Sequence, residues 1–201
     1  INRKKMLSYE ESLKILKETN ALLEGHFILS SGLHSPQYVQ CAQLMSKPKK
    51  ASKICISLSK KIQNEFSEID IILSPAMGGI IIGYEIGKLL GKETIFCERV
   101  NKKFTLRRGF SIKKNSKVLI VEDVITTGKS SLECVKLIKK YNAKLVGFAC
   151  LIDRTSKTKI KNRIISQVKL KIPTYNKKNL PTYMKEIPIT KPGSRFLKWL
   201  N

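Results

Sequence analysis

A chain of 201 residues, 42% of them hydrophobic, is long enough to bury a substantial core and too apolar to be disordered throughout. Its formal net charge of +24 points toward anionic partners, but the lysines are scattered along the chain and aromatics make up only 7%, which favours a solvated basic surface over a nucleic-acid groove. Five cysteines without a CxxC pair, two histidines eight apart and no long apolar run argue against a disulfide frame, a protein-bound metal and a membrane span, so a cytoplasmic protein is expected.

The predicted elements follow in chain order. Ser8 to Glu24 reads as a helix opened by the capping box Ser8-Tyr9-Glu10-Glu11, with Leu13, Leu16 and Leu23 at helical spacing and Gly25 as its stop. FILSSGLHSPQYV then predicts two short strands around a turn rich in Gly, Ser and Pro. From Pro48 to about Asn64 a second helix places Ile54, Leu58 and Ile62 on one face. Ile69 to Leu73 is a short continuous apolar run, the pattern of a parallel strand covered on both faces.

A glycine-punctuated helix over Gly78 to Leu90 comes next, then strands at Glu93 to Glu98 and Lys117 to Val121. A helix over Ser130 to Tyr141 and a strand over Lys144 to Ile152 follow. This alternation predicts an α/β fold with a doubly wound, mostly parallel sheet, and ligands at the carboxyl ends of its strands. Those ends are Ser74–Gly79, Arg99–Arg108, Glu122–Ser130 and Asp153–Arg154. After about Lys171 the tail, with Pro173, Pro181, Pro188 and Pro192, is expected to wrap the surface as irregular structure.

VLIVEDVITTGKS, residues 118–130, carries the chemistry. GKS invites a Walker loop, but G-x-x-x-x-G-K-[ST] requires a glycine five residues before Gly128, and that residue is Asp123. What remains is a strand, two acids and a T-T-G-K-S turn opening a helix. Such a turn forms a nest for one phosphate, and the hydroxyls of Thr126, Thr127 and Ser130 can add to it. Glu122 and Asp123 would face another part of the same ligand, accepting hydrogen bonds from vicinal hydroxyls. The pattern asks for a ribose diol beside a phosphate.

Val118 to Ser130 resembles the phosphoribosyl-diphosphate signature of the type I phosphoribosyltransferases. FILSSGLHSPQY, SPAMGGI, ERVNKKFTLRRGF and LIDRTS, in that order, are similar to segments of the orotate phosphoribosyltransferases. The resemblance covers roughly residues 8–156. It implies a single domain with an N-terminal helix and base-covering hood over about 1–45, a core sheet over 46–156, and a C-terminal strand and wrapping tail over 157–201.

It also implies roles. Glu122 and Asp123 would grip the ribose, Thr126, Thr127, Gly128, Lys129 and Ser130 would hold the 5-phosphate, and Val124 and Ile125 would also contact the phosphoribosyl diphosphate. Met77 and Gly78 would border the diphosphate. Arg99 and Lys103 would reach the diphosphate from the other subunit of a homodimer, on a mobile loop over 99–108. Thr126, Arg154 and Tyr38 would contact orotate. Lys103 and Asp123 are the catalytic candidates, and Mg²⁺ would arrive on the substrate rather than on protein ligands.

The chain departs from that pattern at several basic positions. A lysine common before the Ser-Gly of the first segment is Ser30, a Tyr-Lys pair is Met77-Gly78, a loop lysine is Val100 and a loop histidine is Thr105. Arg107 and Arg108 are additional loop cations. The expected reaction is ribose 5-phosphate transfer from phosphoribosyl diphosphate to orotate. The alternatives are transfer to another base, such as xanthine, and a non-enzymatic nucleic-acid-binding regulator of the same fold.

Overall fold

The computed structural model describes residues 6–29, 31–156 and 158–192. Helix α1 (Tyr9–Glu18) begins at the expected capping box: Glu11 N–H donates to Ser8 Oγ (3.1 Å), and Ser8 N–H donates to Glu11 Oε2 (2.6 Å). It ends six residues earlier than its apolar spacing predicts. The Thr19 hydroxyl donates to the Ile15 carbonyl (2.7 Å), and Asn20 turns left-handed at φ 57°. Leu22 and Leu23 belong instead to β1 (Leu22–Ile28), where Gly25 sits at a register shift rather than at a helix stop.

Strand β1 pairs antiparallel with β2 (His34–Val39), the predicted hairpin. The two histidines lie directly between these strands, His26 Nε2 and His34 Nδ1 2.6 Å apart and both buried. The tail is more ordered than its prolines suggest. After a short helical turn (Lys177–Asn179) and α6 (Thr182–Lys185), its last strand pairs parallel with β1 through His26↔Ile189 and Phe27↔Thr190. The result is a small three-stranded sheet at the N-terminal side.

The large sheet is built from β3 (Ile71–Pro75), β4 (Glu93–Val100), β5 (Lys103–Leu106), β6 (Lys117–Ile125), β7 (Lys144–Asp153) and β8 (Ile164–Lys169). Its spatial order is β5-β4-β3-β6-β7-β8, parallel except for the β4–β5 hairpin. The chain winds outward from β3 to β4 and then returns to the other side of β3, so the strand order reverses between β3 and β6. One face carries α1, the short α2 (Cys41–Met45), α3 (Pro48–Glu65) and α4 (Gly78–Leu90), packed on Ile72, Leu119, Val121 and Leu151. The other carries α5 (Lys129–Lys140), which packs Cys134, Leu137 and Ile138 on Leu73, Ile120 and Phe148. Neither α2 nor β5 is apparent from sequence periodicity, being five and four residues long.

The glycines of α4 have a packing cause. Gly79, Gly83 and Gly87 recur every four residues against Ser74 of β3 and Thr94 of β4, leaving no room for a β-carbon at Gly83 and Gly87 and only a tight fit at Gly79. The helix therefore lies close on the sheet, with its N-terminus at the strand-order reversal. All five cysteines are free and buried, as small core residues. Among the described residues no helix is long and apolar enough to cross a membrane.

Candidate active site

Three of the four predicted ligand segments converge where β3 and β6 end side by side. Strand β6 runs on to Ile125, so Glu122 and Asp123 lie within it, paired to β7, rather than just beyond its end. Alternation along the strand sends the two carboxylates to opposite faces. Glu122 faces α5 and accepts a hydrogen bond from Ser131 Oγ. Asp123 faces α4 and stands against Gly78, where a β-carbon would come within 2.5 Å of its Oδ2. A strand end is reached from both faces, so a ligand lying across it can meet both acids.

Their electrostatics differ from those of exposed carboxylates. Burial pushes Glu122 up to about 7, with the Asp123 charge adding to the rise and the Ser131 hydroxyl opposing it. Burial also raises Asp123, opposed by backbone N–H groups, among them Val124 N–H at 2.9 Å. Glu122, Val124, Ile125 and the turn from Thr126 to Ser131 line a cavity of about 70 Å³.

The turn behind the acids has the form the sequence predicts. Thr126 and Thr127 are exposed and Gly128 is left-handed at φ 76°, directly before the first turn of α5. The first-turn amides of a helix have no carbonyl partner within it and carry the positive end of its dipole. Lys129 N–H donates to Thr127 Oγ1 (3.4 Å). Two residues of the C-terminal region, absent from the predicted site, brace this turn. Thr158 Oγ1 donates to the Thr127 carbonyl (3.3 Å), and Ile160 fills the space beside Gly128. Neither carries a local sequence signal, because both are brought back to the turn only by the fold.

On the hood side, Arg154 N–H donates to the Ile125 carbonyl (2.8 Å), which anchors it to the end of β6. Its Nε is buried without a hydrogen-bond partner among the described residues, and desolvation lowers its pKa. Tyr38 is near enough to act on Arg154 electrostatically, and its ring packs 5.8 Å from Phe27. Phe27, which was not foreseen, backs the Tyr38 ring.

Across the site, Ala76 N–H donates to the Cys97 carbonyl (2.8 Å), so the β3 loop touches the stem of the β4–β5 hairpin. The Ala76–Met77 peptide is cis and Met77 is 84% exposed. The predicted mobile loop over 99–108 is largely this hairpin, turning at Asn101 and Lys102 with φ 48° and 65°. Its register separates two residues that the sequence places together. Arg99 pairs opposite Phe104 and Val100 opposite Lys103, so Arg99 and Lys103 belong to opposite faces.

Arg99 is held within its own chain: Nη1 lies 2.6 Å from Glu133 Oε2 and donates to the Lys102 carbonyl (3.1 Å), and the guanidinium sits 4.1 Å over the Phe104 ring. Arg108 grips Glu98 with two 3.0 Å bonds. Lys103 is exposed and has no ion pair among the described residues. Ser30 lies outside the described residues.

Comparison with known proteins settles what this arrangement belongs to. The phosphoribosyl transferase domain model matches residues 42–187. An orotate phosphoribosyltransferase of Erythrobacter litoralis is 44% identical over 188 residues, 92% of this chain and 97% of that protein. One from Parvibaculum lavamentivorans is 44% identical over 193 residues, 95% of this chain and 100% of that protein. The chain belongs to the orotate phosphoribosyltransferase family.

The fold agrees with that membership. The crystal structure of orotate phosphoribosyltransferase from Aeropyrum pernix superposes with a TM-score of 0.68 at 23% identity, covering 79% of this chain and 93% of that one. In this chain the acid pair stands near the strand-order reversal, where open α/β sheets bind ligands.

Proposed function

We propose that this chain transfers ribose 5-phosphate from phosphoribosyl diphosphate to N1 of orotate, giving orotidine 5′-phosphate and diphosphate in the cytoplasm. The observation that carries the reading is the division of labour at the end of β6: two acids across the strand, then a helix-opening turn with exposed hydroxyls. Glu122 and Asp123 accept hydrogen bonds from the ribose hydroxyls, and residues 126–130 hold the 5-phosphate. Arg154, with its unpartnered Nε, takes the orotate carboxylate beside Tyr38 and Thr126.

Among the described residues no cluster of three or more His, Cys, Asp or Glu could hold a metal ion. A metal carried in on the substrate would meet Asp123, whose carboxylate stands against Gly78 at the start of α4. Bound in this way, Mg²⁺ supplies charge neutralisation of the leaving diphosphate. The chain itself fixes both substrates, so that loss of diphosphate and attack by N1 occur at one anomeric carbon through an oxocarbenium-like state. Lys103 adds positive charge at the diphosphate, acting on the partner subunit's site in a homodimer.

The test is orotate consumption with phosphoribosyl diphosphate and Mg²⁺, run beside xanthine, hypoxanthine and uracil. Turnover of orotate alone is expected. Turnover of a purine base, or of no base by folded protein, would overturn the reading.

A further inference from the structure

A second cavity of about 440 Å³ lies between the β4–β5 hairpin and α5, within the size range of small-ligand pockets, roughly 300–1,000 Å³. It shares no lining residue with the cavity around Glu122 and the phosphate turn, and of the residues assigned to the reaction it takes in Lys103, on the hairpin wall. Its apolar surface includes Phe104, Leu137 and Tyr141, and its charged lining includes Lys102, Lys136 and Lys140. One acid, Glu133, also lines it, but Arg99 stands 2.6 Å from that carboxylate and neutralises it.

The positive charge is concentrated against its local cost. Lys136 and Lys140 are one helical turn apart on α5 and repel. Lys102 occupies a left-handed position of the hairpin turn, φ 65°, where glycine is the low-cost residue. None of the three lysines has a carboxylate partner among the described residues. Aromatic surface next to unpaired cations suits a planar ring that carries an anion.

We propose that this cavity binds a small aromatic anion of nucleoside-monophosphate size, its ring against Phe104 and Tyr141 and its anionic group among Lys102, Lys136 and Lys140. Glu133 connects the cavity to Arg99 on β4, so an occupant also bears on the hairpin; that consequence rests on the role proposed above for Lys103.

Calorimetric titration with adenosine monophosphate tests the site, using the full chain saturated with phosphoribosyl diphosphate and Mg²⁺ so that the phosphate turn is filled. One molecule per chain is expected to bind. The exposed pair Lys136→Glu/Lys140→Glu should weaken binding at least tenfold while leaving orotate turnover unchanged. Lys14→Glu/Lys53→Glu, the same charge change elsewhere, should alter it less than twofold. Absence of binding, equal weakening by both pairs, or equally tight binding of inorganic phosphate alone would overturn the proposal. The titration needs no turnover, so its failure is distinguishable from failure of the proposed reaction.

Discussion

Gly78 and Asp123 meet so closely that a β-carbon on the glycine would lie 2.5 Å from Asp123 Oδ2 and 2.8 Å from its Oδ1. The missing side chain lets the end of β6 close against the N-terminus of α4, across the reversal in strand order. Gly78→Ala must therefore displace the Asp123 carboxylate. Displacing a desolvated carboxylate should lower the melting temperature modestly, while kcat/KM for phosphoribosyl diphosphate should fall on the order of 10- to 100-fold. Steady-state kinetics beside a thermal melt check this pairing of results.

Glu122 gives a pH dependence with a definite sign. Its pKa in the fold is about 7, above the ordinary carboxyl value of 4.5, so the folded state holds its proton more tightly than the unfolded state. Its contribution is fully present below about pH 4.5 and is lost as pH rises toward 7, on the order of 3 kcal/mol at most. Glu122→Gln should remove that part of the slope in denaturant unfolding measured from pH 4.5 to 7.5. On the role proposed for Glu122, in which the ionised form accepts from the ribose hydroxyls, substrate binding near pH 7 should release a proton, visible as buffer-dependent heat.

The role proposed for Arg154 separates the two substrates. Arg154→Ala should raise the KM for orotate on the order of 100-fold, the value of a charge-assisted pair to a carboxylate. The KM for phosphoribosyl diphosphate should change less than threefold. A parallel rise in both constants would place Arg154 elsewhere in the site.

The hairpin register distinguishes Lys103 from Arg99. Lys103 is exposed and without an ion pair among the described residues, so Lys103→Ala should leave the melting temperature alone and lower kcat about 100-fold or more. Arg99 has Glu133, the Lys102 carbonyl and Phe104 for partners. Arg99→Ala should destabilise the protein by about 1 kcal/mol, with a smaller loss of kcat than Lys103→Ala.

Sequence reading is strongest where local chemistry and fold agree. The runs in β3, β6 and β7 are continuous because both faces are covered, and the acid pair and the TTGKS turn sit where strand gives way to helix. It is weakest where tertiary pairing overrides local pattern. Leu22 and Leu23 extend a helical spacing, yet Asn20 in left-handed geometry ends the helix and both leucines go to a strand. The pairing of Ile189 and Thr190 with β1, and the return of Thr158 and Ile160 to Gly128, are set by distant contacts that no periodicity encodes. In the hairpin, Arg99 and Lys103 are four residues apart in sequence but on opposite faces, because a tight turn and antiparallel register lie between them.

The central claim is that acids and turn divide one substrate between them, and a crystal structure with phosphoribosyl diphosphate and Mg²⁺ tests it most directly. The account predicts carboxylate oxygens of Glu122 and Asp123 within about 3.2 Å of the ribose 2- and 3-hydroxyls, with the 5-phosphate seated on residues 126–130. A 5-phosphate bound away from that turn, or a ribose out of reach of both carboxylates, would contradict it.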